Sequence, residues 1–135
     1  MDFSTRCLDY LQSHSCSEGE PLRLIELIKK HLPTSFSSID WAAIPGQREV
    51  FDVGREELVG QLTLLVEGLG GGLKDVCVVI NMDDAFPVLR TKISDWLAFS
   101  EELDFVDTIF LLESKGLIFH WDFKKSLHAL RYGLL

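Results

Sequence analysis

The sequence predicts an α+β fold in which a small antiparallel sheet of three or four strands packs against several helices. Residues 73–82 form an apolar run rich in β-branched side chains, which is typical of a buried strand. Residues 106–113 and 117–121 are also apolar, and the loop between them ends in Gly116, where a three-residue hairpin favours glycine. We therefore expect a sheet-forming core over residues 73–123.

The N-terminal part, residues 1–70, is expected to be mainly helical and to cover this sheet. Ser4 suits the N-cap of a first helix that runs to about residue 14. A second helix is predicted over residues 20–32, because it carries a wide apolar stripe and Pro33 follows it.

The remaining elements are read from shorter patterns. A weak strand pattern at 49–53 precedes a third helix over 55–69, which the glycines at 68–72 terminate. The stripe over residues 87–99 predicts a fourth helix with proline in its first turn. The basic tail, 123–135, is compatible with a last short helix. Spacing leaves the strand order open, and no repeat or linker divides the 135 residues, so one domain is expected.

Composition and the N-terminus predict a cytoplasmic globular protein. Hydrophobic residues make up 47% of the chain and charged residues 25%, and no apolar run approaches the roughly 18 residues that span a bilayer. The first residues lack the apolar core of a signal peptide. Three cysteines without C-x-x-C spacing predict structural thiols rather than disulfides or a zinc site. No set of cysteines, histidines and carboxylates has ligand spacing, so no cofactor and no metal are expected.

The net charge of −8 is concentrated in one part of the chain. Residues 83–114 contain eight acidic residues against Arg90 and Lys92, which gives −6, whereas residues 115–135 carry +3. A nucleic-acid-binding protein needs basic surface to displace counterions from phosphate, so this class is disfavoured. An acidic segment serves solubility in most proteins, or it attracts a basic protein partner.

Catalytic motifs are not recognisable in the sequence. The glycines at 68–72 leave a helix and enter a strand, the reverse of a phosphate-binding loop, so they are interpreted as a helix cap. Asp83 and Asp84 follow the buried strand, where metal and acid–base carboxylates are common, but helix capping and solvent exposure explain them. His120 and Asp122 form at most a weak acid–base couple. We expect no enzyme, and an enzyme using Asp83, Asp84 and His120 is the least favoured alternative.

The acidic segment supplies the residues that are expected to bind a partner. Trp96 is a candidate anchor because tryptophan is enriched among binding hot spots, although its helical spacing favours the core. Reversal of Glu101, Glu102 and Asp104 to lysine is expected to slow association and to leave the fold intact. The expected partner-binding residues are Asp83, Asp84, Asp95, Trp96, Glu101, Glu102, Asp104 and Asp107.

A small acidic α+β chain of this kind resembles a bacterial immunity protein of the polymorphic or contact-dependent toxin systems. The resemblance is one of size, charge and absence of catalytic motifs. It implies a tight complex in which acidic residues meet the basic active-site cleft of a cognate toxin, often a nuclease. The alternative is a regulatory or scaffolding module that binds a small ligand or a protein through an apolar groove. The sequence leaves the oligomeric state open.

Overall fold

A computed structural model describes the greater part of the chain. The described residues are 3–16, 23, 26–30, 32, 34–35, 38–81, 87–103, 107–122 and 124–132. The helices are α1 (Thr5–His14), α2 (Arg55–Gly68), α3 (Ile93–Ala98) and α4 (Ser100–Leu103). The strands are β1 (Thr34–Ser35), β2 (Ser38–Ile39), β3 (Arg48–Val50), β4 (Val76–Asn81), β5 (Leu89–Lys92), β6 (Thr108–Leu112), β7 (Leu117–Trp121) and β8 (Leu127–Arg131). Residues 26–30 are also helical, and much of the remainder of the helix predicted over 20–32 lies outside the described residues.

A six-stranded antiparallel sheet in the order β3-β8-β7-β6-β4-β5 forms the centre of the fold. The expected sheet of three or four strands is therefore wrong. The predicted strands are present as β4, β6 and β7, and the short strand expected at 49–53 is present as β3, over Arg48–Val50. β5 and β8 are the strands of this sheet that the sequence did not predict.

β5 occupies the first half of the segment that was predicted to be a helix over residues 87–99. Leu89 and Thr91 are buried, whereas Arg90 and Lys92 are exposed, which is the two-residue alternation of a strand. The four-residue spacing between Leu89 and Ile93 imitates a helical stripe, because a strand that runs directly into a helix places both residues in the core. Only the second half of the segment is helical, as α3.

β8 replaces the short helix that was compatible with the basic tail. It pairs with β7 from Leu117↔Arg131 to Trp121↔Leu127 and with β3 on its other side. Both faces of β8 are buried, so its side chains lack the simple alternation that marks a half-exposed strand. The neighbouring strands on each side therefore determine its conformation.

Other predicted elements are confirmed. β6 and β7 form the expected hairpin, and Gly116 in its loop has a φ of 66°. α1 begins after Ser4, whose hydroxyl oxygen accepts a hydrogen bond from the Cys7 N–H at 3.1 Å. α2 ends at Gly68, within one residue of the predicted end.

The sheet buries side chains on both of its faces. The first face packs against α1, α2, α3 and α4 and carries Phe110, Phe119 and Trp121. The second face is covered by helical residues 26–30, by Leu32 and by the segment 39–44, and it carries mainly aliphatic side chains. The helices and the covering segment thus enclose the sheet as a central layer.

Candidate functional site

Several turns and helix N-termini meet at one end of the sheet. Strand register aligns Val50, Asn81, Thr108, Trp121 and Leu127 at this end. The turn 51–54 joins β3 to α2, and the turn that follows β7 leads into β8. The charged residues at this end include Asp52, Glu56, Glu57, Glu101, Glu102, Asp107 and Asp122, with Arg6, Arg55, Lys124 and Lys125. We call this region the acidic end.

Two long-range contacts hold the helix N-termini together at the acidic end. The Arg55 guanidinium, in the first turn of α2, donates to the Glu101 carbonyl oxygen of α4 at 2.9 Å. Glu102 accepts hydrogen bonds from Ser4 N–H at 2.7 Å and from the Ser4 hydroxyl at 3.0 Å. A carboxylate at the start of α1 also complements the positive end of the helix dipole. α4 therefore connects the first turns of α1 and α2.

Some carboxylates of the acidic end are used inside the fold. Glu102 caps α1, Asp107 contacts a buried histidine, and Asp122 accepts from Lys124 N–H and Ser126 N–H at 2.9 and 3.0 Å. Other carboxylates are exposed and form no ion pair with another residue of the described chain. These exposed acids are Asp52, Glu56, Glu57 and Glu101.

The opposite end of the sheet carries more cationic groups. There the Arg131 guanidinium donates to the Leu69 carbonyl oxygen, and Arg48 lies beside Gly68, so both cations lie at the C-terminus of α2. Glu113 pairs with Arg23 at 3.0 Å and with Arg90 at 3.6 Å. The chain is therefore polarised along its strands, which the sequence indicated only as an acidic segment before a basic tail.

The predicted partner-binding carboxylates are divided between these two ends. Glu101, Glu102 and Asp107 lie at the acidic end, whereas Asp95 lies in the first turn of α3, after β5 has reached the other end. Because Glu102 accepts two hydrogen bonds at the start of α1, its reversal to lysine is expected to lower stability. That the fold survives this reversal stays a prediction. The predicted residues that lie outside the described part of the chain are Asp83, Asp84 and Asp104.

Trp96, the candidate anchor, is buried. Its side chain is 1% exposed and packs edge-to-face on Phe110, with ring centroids 4.8 Å apart. The indole therefore belongs to the hydrophobic core, which is the alternative that its helical spacing favoured. A surface anchor therefore has to be an aromatic residue other than Trp96.

Two histidines lie side by side on the second face, where His120 of β7 pairs with His128 of β8. Trp41 Nε1–H donates to His120 Nδ1 at 2.8 Å, and His120 Nε2 lies 3.1 Å from Asp107 Oδ1. An indole N–H can only donate, so His120 Nδ1 is the unprotonated nitrogen, and the proton on Nε2 is donated to Asp107. Both ring nitrogens of His120 are thus used within the fold.

His128 lies between two carboxylates. Its Nδ1 is 2.9 Å from Glu49 Oε1, and its Nε2 is 2.8 Å from Asp122 Oδ2. The ring also stacks on Trp41, with centroids 4.8 Å apart and the two planes 3° from parallel. The weak couple of His120 with Asp122 that the sequence allowed does not form, because pairing across the strands brings Asp122 to His128 instead. The two histidines form a buried polar network that ties the 39–44 segment to the sheet.

The described cavities are small. One, lined by Val79, Asn81, Trp96 and Thr108, has room for about one water molecule, with a volume of about 10 Å³, and so has another beneath residues 27–32. Neither accommodates a ligand of the size that the apolar-groove alternative requires. Among the described residues, no group of three or more histidines, cysteines and carboxylates is placed to hold a metal ion.

Cys7 and Cys77 are buried free thiols, as the sequence predicted for structural cysteines. Burial raises the pKa of the Cys77 thiol to about 12. Burial, and then the charge of Glu102, raise the pKa of the Cys7 thiol above its ordinary value. A thiol with a raised pKa is a poor nucleophile at neutral pH, because the thiolate is the reactive form.

Comparison with known proteins identifies no family for this chain. No protein-family model matches it, and no curated protein matches it either. A search of the described residues for a helix that is long and apolar enough to cross a membrane finds none.

Sequence reasoning missed several residues of the acidic end. Glu56 and Glu57 lie in the first turn of α2, where acidic side chains interact favourably with the helix dipole. Two acids at the start of a predicted helix were the sequence signal that could have placed them at an exposed helix end. Their proximity to Glu101 depends on the Arg55 contact, which joins positions 46 residues apart. No local pattern encodes such a contact.

Proposed function

We propose that this protein binds and neutralises a basic protein partner through its acidic end, as an immunity protein does with its cognate toxin. The observation that supports the proposal best is the contact between Arg55 and the Glu101 carbonyl oxygen. It brings α2 and α4 together, so that carboxylates from two distant segments face solvent in one region. The exposed carboxylates of this region are Asp52, Glu56, Glu57 and Glu101.

The acidic end acts first on the rate of association. Charges of one sign that are gathered on one side of a molecule attract an oppositely charged partner over about 8 Å at physiological ionic strength and over longer distances in less salt. The cations at the opposite end of the sheet lie away from that partner, so the charge distribution also orients the encounter. Carboxylates that reach lysine or arginine side chains then form charge-assisted hydrogen bonds.

Neutralisation follows from the position of cations in a toxin that acts on an anionic substrate. A nuclease, for example, binds phosphate groups through lysine and arginine side chains in its cleft. Carboxylates that pair with those side chains occupy the place of the phosphates and exclude the substrate. The protein needs no catalytic group of its own for this role.

The test compares two triple variants that remove the same charge. The first is Glu56→Gln with Glu57→Gln and Glu101→Gln at the acidic end. The control is Glu26→Gln with Glu67→Gln and Asp95→Asn, whose side chains are also exposed but lie away from it. Glu102 stays unchanged in both, because it caps α1.

The probe is the purified product of the gene next to the one that encodes this protein, where the resemblance to immunity proteins implies that the toxin is encoded. Association is measured by stopped flow at several salt concentrations. We expect the acidic-end variant to associate about tenfold more slowly at low salt, with a weaker salt dependence, because steering contributes factors of 10 or more. The control variant should keep the association rate of the original protein. Equal rates for the two variants, or no binding by the original protein, would contradict the proposal.

A further inference from the structure

Phe51 is the most exposed of the large apolar side chains in the described residues, at 68%. It lies in the turn between β3 and α2, with Val50 on one side packed against the core and Val53 two positions later fully buried. Single exposed apolar residues are common on protein surfaces and carry no meaning by themselves. The surroundings of Phe51 distinguish it.

The turn that carries Phe51 is held firmly by the adjacent turn before β8. Val53 N–H donates to the Lys125 carbonyl oxygen at 2.8 Å, and Trp121 Nε1–H donates to the Val53 carbonyl oxygen at 2.7 Å. Asp52 and Lys125 both have left-handed backbone conformations, with φ of 56° and 62°. Residues other than glycine adopt the left-handed conformation at a cost in conformational energy, and the surrounding hydrogen bonds offset this cost.

These contacts give Phe51 a defined position at the acidic end. Arg55, which contacts Glu101, is four positions further along the chain, so the Cα atoms of Phe51 and Arg55 are at most about 14 Å apart. Asp52 is its direct neighbour, and Glu56 and Glu57 follow in the first turn of α2. An exposed aromatic ring and exposed carboxylates therefore occupy the same surface.

We propose that Phe51 is the hydrophobic anchor of the acidic end and inserts into an apolar pocket that basic side chains border on the partner protein. This inference rests on the proposed function and adds a short-range contact to its long-range attraction. Binding hot spots are aromatic or arginine side chains that enter a pocket from which water is excluded, surrounded by contacts of lower energy. A ring on a braced turn loses little conformational freedom when it binds.

The charges around Phe51 define the partner further. Asp52 follows Phe51 towards α2, and Glu56 and Glu57 lie in the first turn of α2, whereas Lys125 lies on the adjacent turn. Cations beside the partner's pocket are expected to face the α2 side, because Lys125 would repel them on the other. The partner is thus a basic protein with an apolar pocket at the border of its cationic surface.

The test separates the anchor from the charges by their kinetics. Phe51→Ala should leave the association rate of the neighbouring gene product unchanged and increase its dissociation rate about thirtyfold, the effect of losing a hot spot. Leu64→Ala is the matched control, because Leu64 is 67% exposed on α2 and should change dissociation less than twofold. Phe51→Leu keeps a large apolar side chain without adding a hydroxyl and should dissociate much more slowly than Phe51→Ala. Circular dichroism of each variant should match the original protein, because both positions are exposed.

The outcomes distinguish this inference from the proposed function. If the acidic-end charges control association while Phe51→Ala dissociates at the original rate, Phe51 is not the anchor and the proposed function stands. An equal loss in Phe51→Ala and Leu64→Ala would also overturn the inference. If the original protein does not bind the probe, the proposed function and the anchor fail together.

Discussion

The two faces of the sheet are both covered, but they differ in the chemistry of the side chains that they bury. The first face carries Phe110, Phe119 and Trp121, none more than 1% exposed. Its stability depends mainly on close packing of these apolar side chains. The second face includes His120 and His128, whose ring nitrogens need hydrogen-bond partners. Within the described residues, every buried side-chain nitrogen and oxygen has such a partner. The first face, which we call the apolar face, therefore depends mainly on apolar packing, whereas the second face also depends on a polar cluster that ties its covering segment to the sheet.

The largest expected effect is on the apolar face. Phe119 lies in the central strand β7 and is fully buried, so Phe119→Ala should lower the free energy of unfolding by about 3–5 kcal/mol, from lost transfer energy and the cavity left behind. Urea denaturation followed by circular dichroism measures this difference. Leu64→Ala, at an exposed position, should change it by less than about 0.5 kcal/mol. A loss below about 1 kcal/mol for Phe119→Ala would show that this face is not tightly packed.

A smaller effect is expected on the second face, where one hydrogen bond can be broken from either side. Trp41→Phe leaves His120 Nδ1 without its hydrogen-bond donor. His120→Leu leaves the Trp41 N–H without an acceptor and Asp107 without a donor. Each single variant should lose about 1–3 kcal/mol for the unpaired group, in addition to the change in side-chain volume. The double variant should lose less than the sum of the single variants, with a coupling of about 0.5–3 kcal/mol.

Urea denaturation of the four proteins in this double-mutant cycle measures the coupling. An additive result would mean that the Trp41–His120 hydrogen bond contributes nothing to stability. The same cycle with Trp41→Phe and the exposed Leu64→Ala serves as the control, and it should be additive because these residues do not share a hydrogen bond.

The smallest expected effect concerns a hydroxyl at the edge of the otherwise apolar first face. Tyr10 donates to Thr91 Oγ1 at 2.8 Å, and burial raises the pKa of its phenol to about 12, against the opposing effect of that hydrogen bond. The unfolded chain loses this proton near pH 10 while the folded protein keeps it, so stability is present below pH 10 and decreases as the pH rises to about 12. Tyr10→Phe should remove this contribution, which amounts to at most about 2 kcal/mol.

The free energy of unfolding is measured between pH 8 and 12 for the original protein and for Tyr10→Phe, and the value of one is subtracted from that of the other at each pH. The buried Cys77 thiol, whose pKa is also raised to about 12, is present in both proteins, so the difference removes its own contribution and keeps its charge interaction with Tyr10. A constant difference across this range would show that the phenol ionises alike in the folded and unfolded chain.

The sequence alone determined the elements whose signals are local. Ser4 as a cap, the helix from Arg55 to Gly68 and the hairpin around Gly116 all depend on residues within a few positions of each other. Hydrogen bonds and dihedral preferences over such short distances are properties of the chain itself. The α+β class follows from the same local patterns.

Only the tertiary structure decided the features that join distant positions. β5 and β8 became strands because they lie beside β4 and β7, although a helical spacing was present in the first and the tail lacked a clear alternation. The acidic end depends on two contacts, one between residues that are 46 positions apart and one between residues that are 98 positions apart. Asp122 contacts His128 of the neighbouring strand. Such contacts depend on the summed free energy of the whole packed chain, which no local window of sequence contains.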